Sequence, residues 1–205
     1  MNQPYRNIVF DLGGVLIHWA PELLYRKIFD DPTEMRWFLE EIVPYSWNVL
    51  QDAGRSLAEA TEERVRLFPE WEPQIRAYYG RWSEMLGGAN EETVKLLKEL
   101  VDAPHLDVFA LTNWSAETFP IAQEQFGFLG WFKDTVVSGE VNMKKPDPKI
   151  YQLMLNQFKI DPNETVFLDD SMPNVKGAEA VGIKALHFES AEKLATDLRE
   201  LGISW

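Results

Sequence analysis

The sequence of 205 residues contains no cysteine and no long apolar run. The absence of cysteine excludes disulfide bonds, thiolate nucleophiles and cysteine-ligated zinc sites. The apolar runs all fall short of the ~20 residues that a membrane-spanning helix needs. The first residues also lack the apolar core of a secretion signal. From these absences we expect a cytoplasmic protein that is neither secreted nor embedded in a membrane.

Basic residues are also scarce. The chain has 20 Lys and Arg against 33 Asp and Glu, so its formal net charge is −13. Such a charge disfavours nucleic acid and anionic membranes as partners. It also repels anionic substrates at long range, so such a substrate needs cations within its site. If the substrate is anionic, the charge balance therefore favours a bound metal ion.

What the chain does have is a regular alternation of strand and helix signals after residue 90. Its composition, 45% hydrophobic and 26% charged, is that of a globular protein. Helix caps are predicted at Asn90, Ser115 and Ser190. Buried strands are predicted at residues 7–10, 107–112, 135–138, 165–168 and 183–187. Strands that alternate with helices predict an α/β fold with a doubly wound parallel sheet.

The segment between residues 21 and 86 has a different pattern, with helix signals alone. Asp31 and Pro32 predict the start of one helix, and the capping box Ser56–Glu59 predicts the start of another. Apolar residues from Ile75 to Leu86 recur at helical spacing and predict a third helix.

This pattern predicts a helical insertion between the first strand and the rest of the sheet. We therefore expect a core domain formed by residues 1–16 and 87–205. Residues 17–86 form the predicted helical cap domain.

Polar residues follow the predicted strands at the places where ligands bind in open α/β sheets. Asp11 ends the first strand, Thr112-Asn113 ends the second, and Asp169-Asp170 ends a later one, while Lys145 precedes a proline. Parallel strands bring their carboxyl ends to one edge, so the acids and Thr112 are expected to converge. Carboxylates that hold Mg²⁺, with a hydroxyl and an ammonium for phosphoryl oxygens, suit phosphoryl transfer.

Each of these residues also has a simpler interpretation. Thr112-Asn113 is compatible with ordinary turn chemistry, and Lys145 with a solvated lysine. Adjacent acids such as Asp169-Asp170 repel each other unless a cation is near. The order and strand-end placement of the whole set favour a single site.

These motifs resemble those of the haloacid dehalogenase-like (HAD) hydrolase superfamily, and the resemblance covers nearly all of the chain. It implies a Rossmann-like core with Asp11 as the nucleophile and Lys145 as the lysine of the third motif. It implies that Thr112 and Asn113, with Lys145, bind phosphate. The helical segment resembles the family's cap. The first motif, Phe-Asp-Leu-Gly-Gly-Val, most resembles sugar-phosphate phosphatases and the phosphatase domain of epoxide hydrolases.

The same resemblance implies a Mg²⁺ site. Its ligands would be Asp11, the carbonyl of Gly13 and Asp170. Asp169 would either bind the ion directly or contact the residues that do. Asn174 is expected to support them or to cap a helix. Gly13 departs from the family, whose phosphatases mostly carry a general acid and base there. Loss of such a group typically costs ~10²–10⁴ in rate.

Two consequences concern the substrate. Without the usual acid, good leaving groups such as anomeric sugar phosphates or aryl phosphates should react best. His18 is either a substitute proton donor or part of the linker into the cap. Residues 47–54 resemble the family's substrate-specificity loop, so Trp47 and Asp52 are candidate specificity residues. Trp47 is equally compatible with the core of the cap.

Three functions remain open from the sequence. The first is a Mg²⁺-dependent phosphatase of small phosphorylated metabolites, with an aspartyl-phosphate intermediate at Asp11. The second is a metal-independent 2-haloacid dehalogenase, which the acid pair at Asp169-Asp170 disfavours because it repels a carboxylate substrate. The third, which Gly13 keeps open, is a weakly active phosphate-binding regulatory protein. The sequence is compatible with a monomer or a homodimer.

Overall fold

The computed structural model describes residues 5–205. Within them a five-stranded parallel sheet forms the centre, and a separate two-stranded antiparallel ribbon lies beside it. The strands of both sheets, in chain order, are β1 (Asn7–Phe10), β2 (Ile17–Trp19), β3 (Leu86–Ala89), β4 (Asp107–Thr112), β5 (Thr135–Val137), β6 (Thr165–Asp169) and β7 (Lys184–His187).

The α-helices of the described residues fall into a group between β2 and β3 and a group after β3. The first group is α1 (Glu22–Tyr25), α2 (Pro32–Trp37), α3 (Tyr45–Asn48), α4 (Leu57–Leu67) and α5 (Glu72–Gly80). The second group is α6 (Glu91–Asp102), α7 (Phe119–Gln125), α8 (Ser138–Val141), α9 (Pro148–Phe158), α10 (Met172–Glu179) and α11 (Ala191–Glu200). No helix in residues 5–205 has the length and apolarity to cross a membrane.

The strand order β5-β4-β1-β6-β7 confirms the doubly wound sheet. The chain moves outward from β1 to one side through β4 and β5, and then to the other side through β6 and β7. Phe10 at the end of β1 is in register with Ala110 and with Leu168. The residues that follow these three positions therefore meet at one edge of the sheet, at the switch point where such folds bind ligands.

Both faces of the sheet are covered by helices. Ile8 and Phe10 of β1 pack into one core, and Val9 packs into another on the opposite face. This alternation follows from the pleat, which points successive side chains to opposite sides. A β1 that is buried on both faces explains why its sequence is an unbroken apolar run.

The first group of helices has a core of its own, rich in aromatic rings. Tyr25, Phe38, Trp47 and Tyr78 are buried in it, and the ring of Tyr78 lies edge-on to Trp47 at 5.2 Å between centroids. We call residues 20–85 the cap layer. The chain enters and leaves the cap layer through β2 and β3, which pair with each other.

The predicted helix caps at Ser56, Asn90 and Ser190 are confirmed. Each side-chain oxygen accepts a hydrogen bond from the backbone N–H three residues later. The predicted cap at Ser115 is wrong. Its hydroxyl accepts from Glu117 N in a turn, and helix α7 begins only at Phe119.

The helix predicted through Leu86 is also wrong in its last part. Helix α5 ends at Gly80, a short 3₁₀ turn follows, and Leu86 begins β3. The strand escapes sequence reasoning because it contains two glycines and forms only where β2 offers it a partner. The predicted boundaries at residues 17 and 87 both fall within this ribbon.

The loops after β4 and β5 contact each other through their backbones at Gly139. A Cβ there would lie 2.4 Å from the nitrogen of Ala116 and 2.8 Å from the oxygen of Trp114. We expect Gly139→Ala to lower the free energy of unfolding by about 1–3 kcal/mol, because backbone must move. Urea denaturation should measure this. Gly127→Ala, where a Cβ would meet no atom within 4 Å, is the control, and equal stability of both variants would contradict the prediction.

Candidate active site

The centre of the candidate site is the ammonium group of Lys145, which is fully enclosed. Its Nζ lies 2.9 Å from Asp11 Oδ1 and 2.7 Å from Asp169 Oδ2. It also donates to the backbone oxygen of Leu111 at 2.8 Å. All three hydrogens of the ammonium can therefore be used. These contacts are consistent with the expectation that Lys145 belongs to the same site as the acids.

Charge explains why this lysine stays ionised although it is buried. Burial alone lowers the pKa of Lys145, but the carboxylates of Asp11 and Asp169 outweigh it and raise the pKa. Burial works in the opposite direction on Asp11, whose pKa it raises, while the charge of Lys145 and the backbone N–H of Leu12 lower it. A cation bound beside Asp11 would favour its carboxylate form further.

Asp169 is saturated with hydrogen bonds. Its Oδ2 accepts from Lys145 and from Asn174 Nδ2, and its Oδ1 accepts from the backbone of Ser171 at 2.8 Å and from Asn174 at 3.0 Å. The side chain has no exposed surface. These contacts suit a carboxylate that orients Lys145 and the loop after β6. Asn174 fixes the orientation of Asp169 through hydrogen bonds to both of its carboxylate oxygens.

Asp170 has the opposite surroundings, since it is exposed and faces a cavity. A Cβ on Gly14, whose φ is +75°, would lie 2.0 Å from Asp170 Oδ2. The second glycine of the first motif therefore allows Asp170 to approach the loop after β1. One carboxylate oxygen of each of Asp11, Asp169 and Asp170 lies within 4.8 Å of the others.

This cluster fits a divalent cation. Three carboxylates face a single ammonium, so two negative charges remain when all are ionised. Carboxylate and carbonyl oxygens are also the hard ligands that Mg²⁺ prefers. Gly13 lines the same cavity as Asp11 and Asp170, and its backbone carbonyl is the further ligand that the sequence resemblance implies.

The two polar residues at the end of β4 have different surroundings. Thr112, the last residue of the strand, is almost fully buried and is absent from the lining of the cavity. Asn113 lines the cavity. Its side chain donates to the backbone oxygen of Lys145 at 3.0 Å and accepts from the backbone nitrogen of the same residue at 2.9 Å. We therefore infer that Asn113 positions Lys145. The predicted contact of Asn113 with phosphate stays a prediction.

A cavity of 380 Å³ lies between the sheet edge and the cap layer. The core side of its wall includes Asp11, Asn113, Lys145 and Asp170. The opposite side includes Asn48, Val49, Asp52 and three aromatic residues: Trp19 from β2, Tyr45 from α3 and Trp82. The volume is that of a site for a small molecule.

The three predicted specificity residues lie in different places. Asp52 is buried and lines the cavity. Trp47 is absent from the lining and packs on Tyr78 and Tyr79 within the cap core. His18 is also absent from the lining, and its exposed side chain stands over Gly87 in the β2–β3 ribbon. These positions favour cap core for Trp47 and linker for His18.

Sequence reasoning missed the aromatic part of the wall and Lys144. Trp19 and Trp82 lie 5.5 Å apart between ring centroids, and Trp19 also meets Tyr45 at 6.3 Å. They are distant in sequence and come together because β2 and β3 pair. Lys144 also lines the cavity.

Comparison with known proteins matches residues 5–182 to the family model described as haloacid dehalogenase-like hydrolase. A flavin mononucleotide hydrolase of Arabidopsis thaliana is 31% identical over 108 residues, which are 53% of this chain and 44% of that protein. The match therefore covers less than half of the length of the plant enzyme. A sesquiterpene phosphatase of Aspergillus oryzae is 25% identical over 197 residues, 96% of each chain.

A solved structure agrees over the whole chain. It is a HAD family enzyme of Bacteroides thetaiotaomicron in a magnesium complex. Its TM-score is 0.76 at 25% identity, and the match covers 96% of this chain and 99% of that one.

The enclosed lysine generates a prediction about stability. Lys145→Met should lower the free energy of unfolding by about 3–5 kcal/mol at neutral pH without added metal, because two buried carboxylates lose their counter-charge. Lys149→Met, at an exposed lysine of α9, should change it by no more than ~0.5 kcal/mol, as surface substitutions usually do. Urea denaturation of both variants checks this. A Lys145→Met protein as stable as the wild type would show that the ion pairs do not hold the site together.

Proposed function

The chain belongs to the haloacid dehalogenase-like hydrolase family, and on that premise we propose that it is a Mg²⁺-dependent phosphatase of small phosphorylated metabolites. The observation that carries the proposal is the enclosed Lys145 between Asp11 and Asp169, with Asp170 open to the same cavity. The arrangement provides a nucleophile, a fixed positive charge and a place for a divalent cation. Phosphoryl transfer needs these groups around one phosphorus atom.

The proposed reaction has two steps. Asp11 attacks the phosphorus and forms an aspartyl-phosphate as the leaving oxygen departs, and water then hydrolyses that intermediate. Lys145 and the hydroxyl of Thr112 stabilise the charge on the phosphoryl oxygens. Asp11, Asp170 and the carbonyl of Gly13 would hold Mg²⁺, which supplies positive charge to the phosphoryl group when it is bound.

Positive charges within the cavity offset the negative net charge of the protein. A protein with a charge of −13 repels a phosphate dianion at a distance. Lys145 and Lys144 both face the cavity, and a divalent ion at the acid cluster would reverse the local sign. Binding is then governed by short-range charges rather than by the field of the whole protein.

The proposed substrates are of the sugar-phosphate type. The aromatic residues Trp19, Tyr45 and Trp82 give the cavity apolar faces on which the C–H face of a ring can pack. Asn48 and Asp52 add polar groups for hydroxyls beside that wall. We propose that residues 17–86 form the cap and select the leaving group, while residues 1–16 and 87–205 form the catalytic core.

The dehalogenase alternative is weaker. Asp170 lines the cavity with its carboxylate, and it would repel the carboxylate of a haloacid. A regulatory phosphate-binding role keeps its support from Gly13, which offers no side chain for proton transfer. A cytoplasmic location agrees with the absence of cysteine, and it stays a prediction, as does the choice between monomer and homodimer.

The test is hydrolysis of phosphate esters by the wild type and by Asp11→Asn. The wild type should release phosphate with Mg²⁺, lose activity in EDTA and regain it with excess Mg²⁺. Asp11→Asn should abolish turnover, because an amide cannot act as the nucleophile. Asp30→Asn removes an exposed carboxylate of the cap layer and should keep full activity.

Two results would contradict the proposal. One is full turnover by Asp11→Asn. The other is release of chloride from 2-chloropropionate in EDTA, with no phosphatase activity in Mg²⁺, which would identify the dehalogenase instead.

A further inference from the structure

Gly13 leaves the proposed phosphatase reaction without a proton donor, and the cavity contains a candidate in the cap layer. Among the residues that line the cavity, the acids are Asp11, Asp52 and Asp170. Asp11 is the nucleophile in the proposed function, and Asp170 is assigned to the cation. Asp52 is the remaining acid, and it belongs to the cap side of the cavity wall, where the proposed function places the leaving group.

We propose that Asp52 donates the proton to the departing oxygen and later accepts a proton from the attacking water, in place of the acid that position 13 lacks. The inference rests on the proposed phosphatase function and adds a catalytic residue from the cap layer.

The loop that carries Asp52 is anchored to the core. Ser138 Oγ donates to the backbone oxygen of Asp52 at 2.5 Å and accepts from the backbone nitrogen of Trp114 at 2.9 Å. Ser138 itself has no exposed surface. Further along, Leu57 N donates to the side chain of Glu117 at 2.8 Å. These bonds tie the cap loop to the loops after β4 and β5, so Asp52 has a fixed position relative to the sheet edge.

The loop also fits closely at Gly54, whose φ is +98°. A Cβ there would lie 1.8 Å from Asn142 Oδ1 and 3.3 Å from the backbone oxygen of Gly139. The loop therefore reaches the core only because this residue has no side chain. Two independent features, the Ser138 bridge and the Gly54 contact, place Asp52 over the cavity.

The protonation state of Asp52 suits the task. Burial raises the pKa of its carboxyl to about 7, against the lowering effects of the Lys144 charge and of a backbone hydrogen bond from Ser115. Asn48 Nδ2 is 3.5 Å from its Oδ2. A general acid that is also used as a base works best with a pKa near the working pH.

Other titratable groups that face Asp52 do not ionise in this range. They are the hydroxyls of Tyr45, Tyr78 and Tyr79, and burial raises the pKa of each above its ordinary value. Lys144 is the cation that faces Asp52 from the core.

The proton balance closes over the two steps. As the Asp11 oxygen forms its bond to phosphorus, the bond from phosphorus to the leaving oxygen breaks, and that oxygen takes the proton of the Asp52 carboxyl. An alcohol leaves, and Asp52 becomes a carboxylate. Asp52 then takes a proton from water as the water oxygen bonds to phosphorus. The bond between Asp11 and phosphorus breaks, hydrogen phosphate leaves, and both side chains return to their first state.

The experiment compares two esters, para-nitrophenyl phosphate and β-glycerophosphate, in the wild type and Asp52→Asn with Mg²⁺. The measured quantity is kcat/KM, which covers the steps up to departure of the alcohol. Asp52→Asn should lower kcat/KM for the glycerol ester by roughly 10²–10⁴-fold, because its leaving oxygen is strongly basic. The loss for the nitrophenyl ester should be much smaller, since nitrophenolate departs without a proton.

A pH profile supplies a readout that a structural role would not move. In the wild type, the ratio of kcat/KM for the glycerol ester to that for the nitrophenyl ester should fall as pH rises through about 7, because the donor loses its proton. In Lys144→Met the fall should move to higher pH, since the Lys144 charge lowers the pKa of Asp52. In Asp52→Asn the fall should vanish.

The possible failures are distinguishable. A wild type that hydrolyses neither ester overturns the proposed function and this inference with it. If Asp52→Asn loses the same factor on both esters, or nothing on either, the phosphatase stands and the role of Asp52 is overturned. If Asp52→Asn does not fold, the Lys144→Met profile decides, and an unshifted fall overturns the inference.

Discussion

The ion pairs of Lys145 are the constraint on which the rest of the site depends. An ammonium without solvent contact is costly unless every donor finds an acceptor, and here Asp11, Asp169 and the carbonyl of Leu111 supply three. Those groups come from the ends of neighbouring strands. The register of the sheet brings these acceptors together, and the hydrogen bonds of Asn113 fix the backbone of Lys145. Together they keep the ammonium of Lys145 fully hydrogen-bonded. The same charge is then available to a phosphoryl group.

The sheet edge and the cap layer contribute different groups to the site. The sheet edge supplies rigid groups that carry charge, and the cap layer supplies the aromatic wall and the buried Asp52. The cap layer has an aromatic core of its own. It is attached through the β2–β3 ribbon and through the bridge at Ser138. In the proposed function, leaving-group selection can thus change with the cap while the phosphate site stays the same.

The sequence predicted the sheet and the polar set at its edge because both depend on local pattern. The run from Asp107 to Thr112 reads as a strand and is one, and the acids and Lys145 follow from motif positions. Pairing of β2 with β3 was not predictable, since three residues and a glycine pair carry little strand signal. The placement of Trp47 outside the cavity and of Asp52 inside it depends on how the cap loop packs on the core, which spacing alone does not determine.

The position of the acid changes how binding and chemistry are connected. An acid on the first loop, at position 13, would be present whether or not the cap loop is docked. An acid at Asp52 meets the leaving oxygen only when the loop is held by Ser138 and Gly54. The contacts that hold the cap loop would then also complete the set of reacting groups, which links substrate fit to rate. A glycine in the first motif is in this view the result of moving the proton donor to the layer that recognises the leaving group.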